Sequence, residues 1–332
     1  MKIIIEDKVP FIRGVFEPVA DVVYLPANDI NLCSLAQADA LITRTRPRLD
    51  SDLLENSPIK VIATATIGTD HVDLDFCARK GIAVYNAPGC NAPAVAQWVF
   101  ASIFELTEAK APSSLTLGVV GVGNVGKIVE HWGRILGFNV LLCDPPRVEN
   151  ESCHGFVDLN YIADNSDIIT FHTPLIKTGS FPSFHLADKS FFHRLQRSPV
   201  VLNASRGPVV DTRSLVDAIA SGKVSAAAVD CWEGEPHIDL DLLHLSSIAT
   251  PHIAGYSIEG KKRATLTAIR AVSHELGLAV KDPFVMPPVN LDKINKEAII
   301  SSYDIMADSD MLKSCPEEFE RLRDNYNLRN EA

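Results

Sequence analysis

A glycine-rich turn between a short apolar segment and a helical pattern constrains the fold of this chain more than any other feature. Gly121, Gly123 and Gly126 come directly after the apolar segment 115–120 and directly before a helical pattern. Glycines at this spacing permit a tight turn and let backbone N–H groups approach a pyrophosphate at a helix N-terminus. The alternative is a ligand-free glycine turn, which the order of strand, turn and helix disfavours. The turn, including Val125, is therefore predicted to hold a dinucleotide.

The next apolar segment, FNVLLCD, ends in Asp144. A carboxylate at this point can accept hydrogen bonds from both ribose hydroxyls of adenosine and repel a 2′-phosphate. The sequence therefore predicts NAD as the cofactor. Arg147, three residues further on, keeps NADP open as the alternative.

Short strand-like segments alternate with longer helix-like segments along most of the chain. This alternation predicts an α/β fold with parallel sheets, one of them a doubly wound, Rossmann-type nucleotide-binding sheet. The predicted strands lie at 2–5, 20–25, 39–43, 60–63, 81–85, 115–120, 138–143, 167–171, 199–203, 225–229 and 247–249.

Two long helical patterns, 91–110 and 257–281, divide the chain into domains. Residues 1–92 and 257–285 are predicted to form a substrate-binding domain, and residues 93–256 the NAD-binding domain. Residues 286–332 are predicted to form a charged, partly helical C-terminal extension.

Composition excludes several classes of protein. The net charge of −11, without runs of Lys or Arg, argues against a nucleic-acid surface. The seven cysteines have neither a CxxC pair nor a metal-like spacing, so we expect free thiols, no bound metal and a reducing compartment. No apolar run approaches 18 residues, so we expect no membrane contact and a cytoplasmic location.

Three consecutive strands in the second half of the chain end near polar residues of different chemistry. Arg206 follows PVVLN, Glu235 follows SAAAV, and His252 follows SIA. Ligands of open α/β sheets lie outside the carboxyl ends of the strands. At this edge of the sheet, a cation can bind the acid group of a ligand. An imidazole with a carboxylate partner can take the proton of a ligand hydroxyl group. Each residue alone could be a loop or capping residue, but together they indicate oxidation of a hydroxy acid.

The motifs also carry a family resemblance. The set GVGNVG, CDPP, FHTPL, NASRGPVVD, DCWEGEP and TPHIAGY resembles the D-isomer-specific 2-hydroxyacid dehydrogenases. TATIGTDHVD, NAPGCNAPAV, LLCDPPR and TPHIAGYSIEGK are most similar to members that act on a small phosphorylated hydroxy acid. The resemblance implies a flavodoxin-like substrate-binding domain, NAD as cofactor and a homodimer.

The resemblance also implies roles for individual residues. Arg206 and Glu235 match the catalytic arginine and glutamate of the family, and His252 matches its proton-transferring histidine. The implied substrate contacts are Thr45, Thr66 and Tyr256, and Arg44 is chemically suited to the substrate phosphate, as is Arg46. The implied cofactor contacts beyond the glycine turn are Asp144, Thr173, Ala204, Ser205, Arg206, Asp230 and Gly255.

The chain departs from the family pattern at Gln97, at Ser183, where a Thr is usual, and at its C-terminal end. Gln97 stands where close relatives often have Glu, so an acidic role is lost there. Family members of this type typically continue some tens of residues beyond a segment like EEFERLRDNY, so we expect a shortened C-terminal dimerisation segment.

Two other functions remain open from the sequence. A dehydrogenase for 3-phosphoglycerate, glyoxylate or hydroxypyruvate would share the catalytic residues and differ only in the substrate pocket. An NAD-sensing corepressor would also keep this set of residues, but would bind a peptide partner and turn over no hydroxy acid.

Overall fold

The computed structural model describes residues 1–107, 110–151, 155–286, 289 and 291–332. The chain forms two compact units, Met1–Asn91 with Ile258–Pro288, and Ala92–Ser257 with Val289–Ala332. The C-terminal segment from Val289 is thus part of the second unit and does not form a unit of its own.

Strands and helices alternate through both units. The strands are β1 Lys2–Glu6, β2 Asp21–Leu25, β3 Ala40–Thr43, β4 Val61–Thr64, β5 Ala83–Tyr85, β6 Thr116–Val120, β7 Asn139–Cys143, β8 Ile168–Phe171, β9 Val200–Asn203, β10 Ala226–Val229 and β11 Ile248–Ala249. The helices are α1 Leu32–Leu35, α2 Ser51–Leu54, α3 Leu74–Lys80, α4 Ala92–Leu106, α5 Asn124–Ile135, α6 Pro145–Glu151, α7 Leu159–Asn165, α8 Lys189–Arg194, α9 Thr212–Ala220, α10 Leu240–Leu245, α11 Ile258–Leu276, α12 Lys296–Ser302, α13 Ile305–Ser314 and α14 Phe319–Asp324.

The first unit is built on a five-stranded parallel sheet in the order β2-β1-β3-β4-β5. Successive side chains of β1 enter two different cores: Ile3 and Ile5 pack with Val272 of α11, whereas Ile4 packs with Phe76 of α3. A sheet covered on both faces explains the unbroken apolar run at 3–5. The strand order is that of flavodoxin-like sheets, as the family resemblance implied.

The second unit is built on a six-stranded parallel sheet in the order β7-β6-β8-β9-β10-β11. Leu142 of β7 also forms a single parallel bridge with Phe156, on the side away from β6. The strand order reverses between β6 and β8, which is the point where doubly wound sheets bind their ligands. The predicted doubly wound fold is therefore confirmed.

Aspartate residues begin several of the described helices around the second sheet. Asp158, Asp188, Asp211 and Asp239 each accept a backbone N–H from the third residue of the helix that follows. Such a cap stabilises a helix by about 1 kcal/mol. The caps fix the strand-to-helix turns at the edge that carries the site.

The two long helices end earlier than their patterns predict. Helix α4 ends at Leu106, and Pro112 follows in the next turn. Helix α11 ends at Leu276 because Gly277 takes a left-handed conformation, with φ of 63°, that stops the helix. In the part of the chain that is described, no helix combines the length and apolar character needed to cross a bilayer.

The C-terminal helices are packed into the second unit. Ile299 and Tyr303 join the core that contains α4, and Leu312 and Phe319 join the core on the other face of the sheet. The Ser309 hydroxyl accepts the backbone N–H of Ala249 at 3.0 Å, which fastens α13 to β11.

Candidate active site

The glycine turn has the geometry expected for close approach of a ligand. Gly121 has φ of 87°, and a Cβ there would lie 2.8 Å from the backbone of His172. A Cβ on Gly126 would lie 2.0 Å from the carbonyl oxygen of Gly121, so both glycines are required by the turn itself. Gly123, the N-cap of α5, differs because a Cβ would meet no atom within 4 Å. The space next to Gly123, at the N-terminus of a 12-residue helix, fits a pyrophosphate.

Asp144 lies directly after β7 and faces this turn. Its Oδ2 atom accepts the backbone N–H of Val122 at 2.7 Å, and its Oδ1 atom accepts that of Arg147 at 3.1 Å. A carboxylate has about four acceptor positions, so two remain for ribose hydroxyls. The Arg147 guanidinium is paired with Glu151 at 2.6 Å, which balances the cation that kept NADP open.

His252 and Glu235 form a hydrogen-bonded dyad. The Nδ1 atom of His252 lies 2.8 Å from Oε2 of Glu235, and Oε1 of Glu235 accepts the backbone N–H of Trp232 at 2.8 Å. The carboxylate is thus fixed on one side by the backbone and on the other by the imidazole. Both side chains retain some exposure, 28% for His252 and 19% for Glu235.

The dyad shifts the pKa of both of its members. Burial by itself lowers the pKa of His252, but the Cys231 sulfur and the Glu235 carboxylate raise it well above the ordinary histidine value. We assign the rise to Glu235, because burial raises the pKa of Cys231 and keeps it a neutral thiol. Burial opposes ionisation of Glu235, yet His252, the Trp232 N–H and Arg323 together lower its pKa.

Asp230 holds the loop that carries His252. Its buried carboxylate accepts the Thr250 hydroxyl at 2.6 Å and the backbone N–H groups of Ile253 at 2.8 Å and Ala254 at 3.1 Å. Burial raises the pKa of this carboxyl, in spite of these bonds and the neighbouring His252. His252 itself has φ of 56°, a left-handed conformation that this network supports.

The backbone of Arg206 is held close to the segment Cys231–Trp232. The Asn203 side chain donates to the carbonyl oxygens of both Arg206, at 3.1 Å, and Cys231, at 3.3 Å. A Cβ on Gly207 would lie 2.0 Å from the carbonyl of Trp232, so only glycine allows this approach. Ser205 is buried and donates to Asn203, while Ala204 packs at the rim of the core. The ends of β9 and β10 therefore form one connected group, as their order in the chain predicted.

The other residues proposed from the sequence lie at the ends of further strands. Thr173 follows β8, and its buried hydroxyl has no hydrogen-bond partner among the described residues. Gly255 and Tyr256 lie in the loop of His252. In the first unit, the Thr66 hydroxyl after β4 is likewise buried and unpartnered within the described residues, whereas Thr45 is exposed. Arg44 lines a cavity of about 120 Å³ in that unit, together with Lys8, Arg46, Glu6 and Asp7.

Sequence reasoning missed the part that the C-terminal segment plays in this site. Arg329 is buried and donates to the carbonyl oxygens of Ile253 at 3.1 Å, Tyr256 at 3.2 Å and Ala254. It also donates to Oε1 of Gln97 at 3.1 Å, so Gln97 has a structural role as a neutral amide. The nearest sequence signal was the family-like segment EEFERLRDNY, which lies just before Arg329.

A family model for "D-isomer specific 2-hydroxyacid dehydrogenase, NAD binding domain" matches residues 92–254. A protein of Bacteroides fragilis is 46% identical over 339 residues, which cover 100% of this chain and 97% of the relative. A protein of Escherichia coli is 38% identical over 350 residues, which cover 100% of this chain and 92% of the relative. The crystal structure of D-lactate dehydrogenase from Aquifex aeolicus, complexed with NAD and lactic acid, superposes with a TM-score of 0.68. Its identity is 24%, over 84% of this chain and 96% of that chain, so this likeness concerns the fold.

The chain belongs to the D-isomer-specific 2-hydroxyacid dehydrogenases and is an NAD-dependent oxidoreductase. The two relatives from Bacteroides fragilis and Escherichia coli are both named erythronate-4-phosphate dehydrogenase. The family resemblance and the choice of NAD made from the sequence are thereby confirmed.

Proposed function

We propose that this protein oxidises 4-phospho-D-erythronate to (R)-3-hydroxy-2-oxo-4-phosphobutanoate with NAD, a step in pyridoxal 5′-phosphate biosynthesis. The observation that carries the proposal is the 2.8 Å contact between His252 Nδ1 and Glu235 Oε2. The dyad supports proton transfer from a hydroxyl group. The substrate is proposed from the full-length match to proteins named erythronate-4-phosphate dehydrogenase.

His252 is the proposed general base. In its neutral form, the imidazole takes the proton of the C2 hydroxyl through Nε2, while Glu235 keeps Nδ1 protonated. Glu235 then stabilises the imidazolium that forms, which is why its own pKa must stay low. When bound, NAD supplies the acceptor for the hydride that leaves C2.

Arg206 is the proposed anchor of the substrate carboxylate. A guanidinium holds a carboxylate through two parallel hydrogen bonds and also polarises the adjacent carbonyl as it develops. Thr45, Thr66, Tyr256 and Arg44 are proposed further substrate contacts, and the unpartnered Thr66 hydroxyl among the described residues supports this role.

The residues that would hold NAD fit the group chemically. The glycine turn from Gly121 to Gly126, with Val125, leaves room for the pyrophosphate beside Gly123. Asp144 retains acceptor positions for ribose hydroxyls, and the Thr173 hydroxyl lacks a partner within the described ranges. Ala204, Ser205, Arg206, Asp230 and Gly255 are proposed to complete the site around the nicotinamide.

We propose a cytoplasmic homodimer as the working assembly, as the family resemblance of the sequence implies. Ile300 of α12 and Met311 of α13 each expose about half of a large apolar side chain, so the C-terminal helices offer a surface for a second copy. Cys33, Cys77, Cys143, Cys231 and Cys315 are free thiols, which suits a reducing compartment, and Cys153 lies outside the described residues. Light scattering after gel filtration would test the dimer, and a monomer would contradict it.

The decisive experiment follows NADH formation with 4-phosphoerythronate, unphosphorylated erythronate and 3-phosphoglycerate in parallel. We expect kcat/KM to be highest for 4-phosphoerythronate by at least about tenfold, or about 1.4 kcal/mol. Faster turnover of 3-phosphoglycerate would overturn the proposed substrate and leave the dyad chemistry intact. No turnover of any hydroxy acid, together with capture of a peptide, would instead favour a corepressor.

A further inference from the structure

Arg323 of α14 reaches the loop that carries His252. Its Nε atom donates to the Tyr256 hydroxyl at 3.2 Å, and Nη1 lies 3.7 Å from a Glu320 oxygen. The side chain is only 20% exposed. Across the described part of the chain, the guanidinium makes no other hydrogen bond or ion pair.

Burial opposes the charge of this guanidinium, but Tyr256, Glu235 and Glu320 together raise its pKa above the ordinary arginine value, so the charge persists in a largely buried position. A guanidinium has five N–H donors in a fixed fork, and here only one of them has a hydrogen-bond acceptor. An anion that accepts two parallel hydrogen bonds can use the N–H donors that remain. The terminal nitrogens of Arg323 are therefore suited to a phosphate group.

The position of Arg323 relative to the dyad is fixed by contacts within the second unit. Tyr256 is four residues from His252 in the same loop, and the charge of Arg323 acts on the Glu235 carboxylate. Arg329 holds the same loop through the carbonyls of Ile253 and Tyr256. The C-terminal segment is thus attached to the catalytic loop at two points, and a charge held this rigidly loses little freedom when it binds.

We propose that Arg323 binds the phosphate group of the substrate, so that the C-terminal segment supplies the preference for a phosphorylated hydroxy acid. This inference rests on the proposed function. It differs from an assignment to Arg44, whose cavity also contains the carboxylates of Glu6 and Asp7. One Glu6 oxygen is buried there without a hydrogen-bond partner among the described residues and would repel a phosphate.

The test compares wild type with Arg323→Met and Arg323→Lys, using 4-phosphoerythronate and unphosphorylated erythronate. We expect Arg323→Met to lower kcat/KM for the phosphorylated substrate by about 10- to 100-fold, mainly through KM. Loss of the Arg323 charge near Glu235 affects both substrates alike, so the readout is the ratio of their kcat/KM values, which should fall by about 10-fold or more because erythronate has no phosphate to lose. Arg323→Lys keeps the charge but not the fork, and we expect an intermediate loss.

Arg321→Met is the matched control, since Arg321 lies on the same short helix but is exposed and paired with Glu318. It should leave both substrates unaffected. Arg44→Met tests the competing assignment, in which Arg44 binds the substrate phosphate. Loss of phosphate preference in Arg44→Met but not in Arg323→Met would overturn the inference, as would an equal loss of kcat/KM for both substrates in Arg323→Met.

Inorganic phosphate separates this inference from the proposed substrate. We expect it to raise the melting temperature of wild-type enzyme saturated with NADH, and to do so less in Arg323→Met. This result is expected even if wild type does not oxidise 4-phosphoerythronate, in which case the substrate is wrong and the phosphate site stands. Equal effects of phosphate on wild type and Arg323→Met would reject the site.

Discussion

The Nδ1 atom of His252 lies 2.8 Å from Oε2 of Glu235, and the other oxygen of the same carboxylate is held by the backbone N–H of Trp232. The carboxylate therefore cannot turn away from the imidazole without losing a backbone hydrogen bond. This arrangement orients His252 and raises its pKa above the ordinary value for histidine.

The raised pKa of His252 sets the sign of the pH dependence. Oxidation needs the neutral imidazole, so kcat/KM should rise with pH until it passes the raised pKa, whereas reduction of the keto acid should be favoured below it. Glu235→Gln removes the charge that raises this pKa, so we expect the rise in kcat/KM to move to lower pH. Its plateau should fall by about 10- to 100-fold, since the imidazolium is no longer stabilised. Glu149→Gln, an exposed change on α6, serves as the control, and a Glu235→Gln profile that coincides with it would contradict the dyad.

His252→Asn tests proton transfer with little change to the backbone. Asparagine tolerates the positive φ of 56° found at His252 better than most residues, so the loop should keep its conformation. We expect kcat to fall by about 10²- to 10⁴-fold, with the Kd for NADH, measured by fluorescence, unchanged. His193→Asn, on the exposed side of α8, should keep full activity. Retained turnover in His252→Asn would exclude it as the base.

Gly123→Ala and Gly126→Ala separate ligand approach from folding. A Cβ at Gly126 meets the Gly121 carbonyl at 2.0 Å, so we expect a loss of about 1–3 kcal/mol in the free energy of unfolding. A Cβ at Gly123 meets nothing within 4 Å, so stability should fall by less than about 1 kcal/mol. The added methyl group would instead displace the pyrophosphate and raise the Kd for NAD by at least about tenfold, or about 1.4 kcal/mol. Urea unfolding and NAD titration of both variants measure the two effects, and unchanged NAD binding in Gly123→Ala would place the pyrophosphate elsewhere.

The sequence predicts the strands and the dyad because both follow from local rules. Apolar runs such as IIIE and VVLN are buried on both faces of a parallel sheet, which makes them easy to recognise. Glu235 and His252 follow neighbouring strands β10 and β11, and the carboxyl ends of parallel strands share one edge. The contact between Glu235 and His252 could therefore be predicted without knowing how the side chains pack.

The contacts between the C-terminal segment and the loop that carries His252 follow no such rule. Arg323 lies 67 residues from Tyr256 in sequence, and Arg329 lies 73 residues from the same residue. The apolar residues that anchor this segment, Ile299, Leu312 and Phe319, are scattered among charged side chains and show no sustained period. Which arginine of such a segment is buried depends on tertiary packing, so the sequence predicted only a charged extension for dimerisation and no contact with the catalytic loop.

Arg329→Met tests whether the C-terminal segment holds the catalytic loop. The substitution leaves the carbonyls of Ile253, Ala254 and Tyr256 without their buried donor, which should lower the free energy of unfolding by about 3 kcal/mol. Because these carbonyls flank His252, we also expect kcat to fall under conditions where the variant is fully folded. Arg213→Met, a mostly exposed arginine on α9, should affect neither quantity. If stability falls while kcat stays at the wild-type value, Arg329 supports the fold of the second unit but does not position the catalytic loop.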